Sequence, residues 1–441
     1  MRLVVMVIAA ALLTAAVPPL SAAGDGARAP EHGGLQQAPA PAQPAATPDP
    51  TPLSALLDEL RKNNPDVIAA RDAARAATYA APQASSLPDP RVTIQQFNVG
   101  NPLPFAGYTT SGFAYIGIGA SQALPYPGTR GLRGDVARRD ADVAQAQVHV
   151  TLRDQIERLK TTYARLAYRQ ATRGILQRDS TLLQQIEQQA QARYASGQGN
   201  QQEVLRAQLE RTKILREISM NRQAAGEAQA ELKRIVVRAQ DAPDIVAEPL
   251  AATFLTRTSA ELLDRARAEN PDVLEHAAAV TRNQAAVALA AKEFGPDFGV
   301  SVMYQNTGPA FPDYYMATFD VTFHRRAPRE AALAQARVNV ERGEAQRNAA
   351  LQDALADVEQ QYTIAKTSEE QLLIYRDGLL PQAQASIQAG LAAYQSNRED
   401  FHTLLGSFLD VLTLDVQYQQ TLLDHETALA RIERLTGITL P

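Results

Sequence analysis

Apolar positions recur along most of this chain at helical spacing, and in a few short stretches they alternate instead. Ile156, Leu159, Tyr163 and Leu166 step by three and four. Leu373, Leu380, Ile387 and Tyr394 step by seven, and Leu405, Leu409, Leu412 and Val416 by four, three and four. Such spacing holds an apolar seam against a partner helix and supercoils to the left, so it predicts coiled-coil helices. One long helix is expected at about 131–194 and another at about 329–394. Return helices of roughly half that length follow at about 201–237 and 400–435, and a leading helix precedes each unit at about 53–81 and 259–293. Half plus half matches the whole, so two short helices are expected to stack end to end beside each long one.

The alternating stretches read differently. Tyr315, Ala317, Phe319, Val321 and Phe323 interleave with Met316, Thr318, Asp320 and Thr322, giving one apolar, aromatic face and one largely polar face. The run covers about nine residues, the length of a membrane-spanning strand. Residues 113–120 form a Gly-rich counterpart, while Val92-Thr93-Ile94 and Val300-Ser301-Val302 open two more, placing strands at about 91–122 and 298–324. Four strands cannot close a barrel, and an open edge cannot sit in lipid. Strands in a membrane therefore require several chains to share one barrel. Two chains would give eight strands and three would give twelve, and the count does not choose between them. An ordinary amphipathic sheet in a soluble protein is the other reading of the alternation.

The same unit occurs twice. Asn64-Pro65-Asp66-Val67 recurs as Asn270-Pro271-Asp272-Val273, and Pro88-Asp89 recurs as Pro296-Asp297 before the strands. Each long helix then reaches a tyrosine and a polar break, Tyr194 to Asn200 in one half and Tyr394 to Asp400 in the other. A shared order of features with a period near 200 residues indicates a duplicated domain, here 53–250 and 251–441, rather than a solenoid. Ahead of them, Arg2, the apolar run 3–17 and Ser21-Ala22-Ala23 predict a secretory signal peptide over 1–23. Residues 24–52, with seven prolines, predict an extended leader.

Composition narrows the chemistry. The 441 residues include no cysteine, which excludes disulfides, thiolate metal sites and an N-terminal lipid anchor on cysteine. A formal charge of −5 gives no global footprint for nucleic acid. None of the six histidines pairs with another at helical metal-site spacing, so no metal ligand or cofactor is expected. No acid/base pair, activated nucleophile or cofactor loop is evident, so an enzyme is not expected.

The duplicated strand–strand–long-helix units resemble the TolC-type outer-membrane efflux family, the outer-membrane component of tripartite heavy-metal and multidrug exporters. Four motifs carry the resemblance. Leu124-Pro125-Tyr126-Pro127-Gly128-Thr129-Arg130 looks like the family's turn from strand to long helix, and Leu379-Leu380-Pro381-Gln382-Ala383 like its second long helix approaching the tip. Glu203-Val204-Leu205-Arg206-Ala207-Gln208 resembles the start of a return helix, and Leu435-Thr436-Gly437 its end. The resemblance implies a mixed α/β membrane protein: a long antiparallel coiled-coil α-barrel plus four strands per chain of a shared twelve-stranded β-barrel. It implies a homotrimer in the outer membrane of a Gram-negative bacterium, with a large periplasmic extension, contacting outer-membrane lipid and no nucleic acid. A periplasmic adaptor and a proton-driven inner-membrane pump would be its partners. Metal ions or small toxic molecules would be its cargo. A protein-secretion component, or a periplasmic coiled-coil scaffold that transports nothing, are the alternatives.

The site residues follow from that resemblance. Gly197, Gln198, Gly199 and Asn200 in the first tip, and Asn397, Arg398, Glu399 and Asp400 in the second, would form the periplasmic entrance and dock the adaptor. Glu203 either joins a three-fold acidic ring, which would attract cations, or is a helix first-turn acid. Thr403 and Gly406 stand where relatives with a tight entrance carry carboxylates. Asp320 would face the barrel lumen, and Pro381 would kink the second long helix.

Overall fold

The computed structural model describes residues 49–98, 103–104, 108, 113–309, 311–396 and 398–440. The expected signal peptide, the leader up to residue 48, much of the first hairpin loop and Asn397 lie outside them. The first half runs through α1 (Leu53–Asn63), α2 (Pro65–Thr78), α3 (Ala80–Ser85), β1 (Arg91–Phe97), β2 (Tyr115–Leu124), α4 (Thr129–Ala195) and α5 (Gln201–Val236). The second runs through α6 (Ser259–Glu269), α7 (Pro271–Lys292), β3 (Asp297–Asn306), β4 (Tyr314–Thr322), α8 (Arg326–Ile374), α9 (Leu380–Gln395) and α10 (Phe401–Thr436). At 67 residues, α4 is about 100 Å long.

Each leading helix, expected as one piece, is broken at its Asn-Pro step. Proline disfavours helical backbone in the residue before it. Asn64 sits at ψ 122° and Asn270 at ψ 124°, each ending one helix and capping the next. The Asn64 side chain accepts from the Asp66 and Val67 amides and donates to the Ile235 carbonyl at 2.9 Å. Asn270 accepts from Val273 and donates to the Leu435 carbonyl at 3.0 Å. Ile235 and Leu435 lie in the last turns of α5 and α10, whose carbonyls lack helical partners. Each buried asparagine thus joins the end of a return helix to the start of a leading helix. The pairs α2/α5 and α7/α10 each run along one long helix.

Packing follows the duplication. Leu56, Leu60 and Val67 pack with Leu159, Leu166, Leu232 and Ile235 in the first half. Leu262 and Ala266 pack with Val358, Ala365, Leu429 and Ile432 in the second. Arg434 on α10 ties the halves together, donating to Asp154 on α4 and lying 3.2 Å from Asp272 on α7. A third cluster gathers Leu183, Ile186, Ile214, Ile387, Phe401 and Phe408 near the helical tips.

The strands form one antiparallel sheet in the order β1-β2-β3-β4. Its register puts Val92, Ala120, Val302 and Ala317 side by side, then Ile94, Ile118, Tyr304 and Tyr315. This face is apolar and open: Val92, Ile94, Val302, Tyr315, Phe319 and Phe323 are all exposed, Phe323 at 80%. The other face carries Thr93, Gln95, Ser121, Ser301, Thr318 and Asp320. Gly119 leaves space there for Met303, whose Cε would lie 2.8 Å from an added Cβ. Where β2 turns into α4, Gly128 adopts φ 90°, and the Tyr126 ring covers Gly295 with Lys292 5.2 Å from its centre. The Tyr126 amide donates to Asp297 at 2.8 Å, which locks the two strand–helix corners together.

Asn64→Ala and Asn270→Ala should each cost about 2 kcal/mol, through a lost cap and an orphaned buried carbonyl. The sites are far apart, so the double variant should show the sum. Urea unfolding of the detergent-solubilised protein measures this; midpoints unchanged from the parent would mean the asparagines join nothing.

Candidate functional site

The tips are where α4 turns into α5 and α9 into α10. In the first, Gly197 takes φ 73°, and the Gln198 and Gly199 amides both bond the Arg193 carbonyl. Gly199 has no space for a Cβ, which would lie 3.0 Å from the Tyr194 amide nitrogen. Asn200 caps α5 by accepting from the Gln202 amide. In the second tip, the Arg398 amide bonds the Ala393 carbonyl at 2.8 Å, as the Gln198 amide bonds Arg193 in the first. Asp400 caps α10 by accepting from the Thr403 amide at 2.8 Å, a bond that holds its carboxyl below the usual aspartate range. Glu399 reaches back over Gly390 of α9. Asn397 lies outside the described residues.

Between the tips is a buried contact centred on Tyr394. Its ring is 1% exposed and meets Phe401 edge-on at 6.1 Å. Its hydroxyl donates to Glu203 Oε2 at 3.2 Å. The Arg193 guanidinium lies 4.4 Å from the ring centre, and Arg193 also donates to the Tyr394 carbonyl at 3.2 Å. Thus Arg193 and Glu203, from the first hairpin, grip one tyrosine of the second from two sides. A hydrogen bond to a carboxylate and a partly desolvated cation–π contact contribute about 1–3 kcal/mol each. Burial, reinforced by the Glu203 charge, pushes the Tyr394 phenol up to about 12. Further along the helices, Arg178 on α4 reaches Asp415 on α10, a second link between the hairpins.

Glu203 is therefore half-buried and bonded to the neighbouring hairpin, besides standing in the first turn of α5. The sequence singled out Glu203 but offered no sign of Arg193. The two tip tyrosines looked equivalent, whereas Tyr194 is 49% exposed. The usable signal was the heptad ending at Tyr394, which puts that residue on the buried seam.

Pro381 lies in the first turn of α9, just past a π-turn over Tyr375–Leu379. The Leu380 amide bonds the Tyr375 carbonyl five residues back, so the helix continues through the proline with one widened turn. Asp320 sits opposite Gly299 on the polar face of the sheet, beside Ser301 and Arg91 in an open cavity of about 550 Å³. Among the described residues, no three acidic or histidine side chains are grouped to hold a metal. Among them, too, no helix is long and apolar enough to cross a membrane.

A duplicated coiled-coil body carrying an open sheet with one exposed apolar face defines the class by its fold, which is TolC-like. Residues 262–437, most of the second repeat, match the family model "Outer membrane efflux protein". The match lies within the second repeat and covers less than half of the chain, so the likeness to that family is one of this segment. The outer-membrane channel OprN superposes with a TM-score of 0.74 at 16% identity, covering 87% of this chain and 89% of that one. VceC from Vibrio cholerae gives 0.73 at 16%, covering 87% and 96%. CusC, whose structures concern folding and transmembrane channel formation, gives 0.73 at 14%, covering 87% and 91%. At these identities the likeness is one of fold. No curated protein sequence matches the chain.

The ordinary tyrosine value is 10.0, and Tyr394 is raised above it. Its neutral form is the one the folded state favours. Its contribution to the tip contact is therefore complete below about pH 10 and is lost as pH rises through about 12. Tyrosinate absorbance at 295 nm should show a late alkaline step that Tyr394→Phe removes. Identical titrations of parent and variant would contradict the buried contact.

Proposed function

We propose that three copies of this chain form one channel through the outer membrane. Twelve strands then close a barrel, and the helices form a tunnel into the periplasm. The observation that carries this reading is the four-stranded sheet, apolar and exposed on one face and ending in two unpaired edges. Such edges are compatible with lipid only when strands of other copies cover them. Substrate enters at the tips from a periplasmic adaptor coupled to an inner-membrane pump, and leaves through the barrel without bond breaking. Metal ions or small toxic molecules are the cargo.

Each site residue takes a role in this scheme. The exposed polar turns, Gly197 to Asn200 and Asn397 to Asp400, meet the adaptor. Glu203 acts through Tyr394, as a clasp joining the two hairpins, rather than as a free carboxylate at the pore. Opening the entrance requires the hairpins to part, which breaks the Arg193–Tyr394–Glu203 contact. The π-turn before Pro381 supplies the bend that brings α9 inward. Asp320 keeps the lumen wet and biases it towards cations.

Planar-bilayer recordings test the proposal. The parent should give small, discrete conductance steps. Glu203→Gln and Tyr394→Phe should raise the single-channel conductance severalfold, because the clasp is loosened while each barrel is unchanged. Absence of conductance from parent and variants alike would overturn the channel reading. Equal conductance in all three would overturn the role of the clasp.

A further inference from the structure

The apolar core of the first coiled coil is interrupted partway along. On α4 the buried apolar residues of one cluster end at Ala167, and those of the next begin at Leu176. On α5 they stop at Ile214 and resume at Ala228. Across this gap, beneath α10, lies a cavity of about 440 Å³ whose apolar walls include Leu176, Leu412 and Val416. That volume is within the range of ~300–1,000 Å³ common for small-molecule sites.

Its polar groups are unusual. Asn221 is 4% exposed and Thr172 is 5% exposed, and both line the cavity. The Asn221 amide nitrogen and oxygen, the Thr172 hydroxyl and the Arg169 Nε are all buried without a hydrogen-bond partner. A helical threonine normally returns its hydroxyl to a carbonyl one turn back, and Thr172 does not. The Arg169 guanidinium stacks 5.0 Å from the Tyr168 ring centre, and no carboxylate pairs with it among the described residues. The acid at the rim, Glu217, is engaged by Arg216 at 2.6 Å. Buried polar groups in native proteins almost always find partners, so orphans that converge on one cavity mark a place where a partner belongs. The set is rich in donors and carries an unpaired positive charge.

We propose that this cavity binds a small amphipathic organic anion, a monocarboxylate with an apolar body. The carboxylate accepts from Arg169 Nε, Thr172 Oγ1 and Asn221 Nδ2, and the body lies against Leu176, Leu412 and Val416. A water carried in with the ligand donates to Asn221 Oδ1. The site is built within one protomer and stands independently of the channel reading.

Ligand-observed fluorine NMR on the full chain in amphipol tests this, with 4-(trifluoromethyl)benzoate as the probe and empty amphipol as the blank. The parent should broaden the probe signal saturably at millimolar concentration or below. Arg169→Gln and Asn221→Leu should each weaken binding about tenfold, a loss of about 1.4 kcal/mol. Asn221→Leu should also raise the thermal midpoint, because it removes an orphaned amide from an apolar wall, and this shows the variant folds. Three results would overturn the proposal: no saturable binding to the parent, equal binding to parent and variants, or equal binding of the neutral 4-(trifluoromethyl)benzyl alcohol. The last would make the cavity a plain apolar void, and the first a water-filled one.

Discussion

The outer edges of β1 and β4 each carry a row of backbone donors and acceptors that no strand of this chain pairs, among the described residues. In water such edges are tolerable, but hydrocarbon supplies no substitute partner. The side chains on one face of the sheet, from Val92 to Phe323, are apolar and exposed, as a surface suited to lipid would be. On the channel reading proposed above, such a sheet is completed by further copies of itself. On that reading, everything attached to it is compatible with rotational repetition, and two matched halves suit that demand in a regular way.

The helical body meets a second constraint, that of length. A long helix needs neighbours along its whole extent, and each hairpin return covers only part of it. The leading helices fill the remainder, and Asn64 and Asn270 bridge each join. One residue does three things there: its extended backbone ends a helix, and its side chain caps the next and satisfies a carbonyl at the end of a third. The Asn-Pro dipeptide is suited to this, because proline fixes the extended backbone and asparagine supplies both donor and acceptor. At the far end the hairpins are held together mainly by side chains, around Tyr394. The tips are thus the part of the body whose association a small change in contacts can alter.

Much of this was legible in the order of residues. Heptads marked the long helices because the seam period is a direct imprint of helix–helix packing, and strict alternation marked β4 for the corresponding reason. The turn from strand to helix was marked by the resemblance of residues 124–130 to the corresponding family motif, and Gly128 takes φ 90° there. The break at Asn64 was hidden, since the apolar pattern of 53–81 continues across it and only the backbone preference before proline argues otherwise. Arg193 and Asn221 were hidden more deeply. An arginine or asparagine on a polar helix face reads as solvated until the neighbouring hairpin is placed over it. Tyr194 and Tyr394 occupy the same place in their repeats yet differ in burial, because a duplicated sequence does not impose equal surroundings on its two copies.

The central claim is that four strands per chain are completed by other copies in the outer membrane. Separating the membranes, extracting the outer one in mild detergent and weighing the intact complex by native mass spectrometry addresses it most directly. A complex of three chains from the outer-membrane fraction is the expected result. A monomer recovered from the soluble periplasm would contradict it and leave the sheet an ordinary amphipathic one.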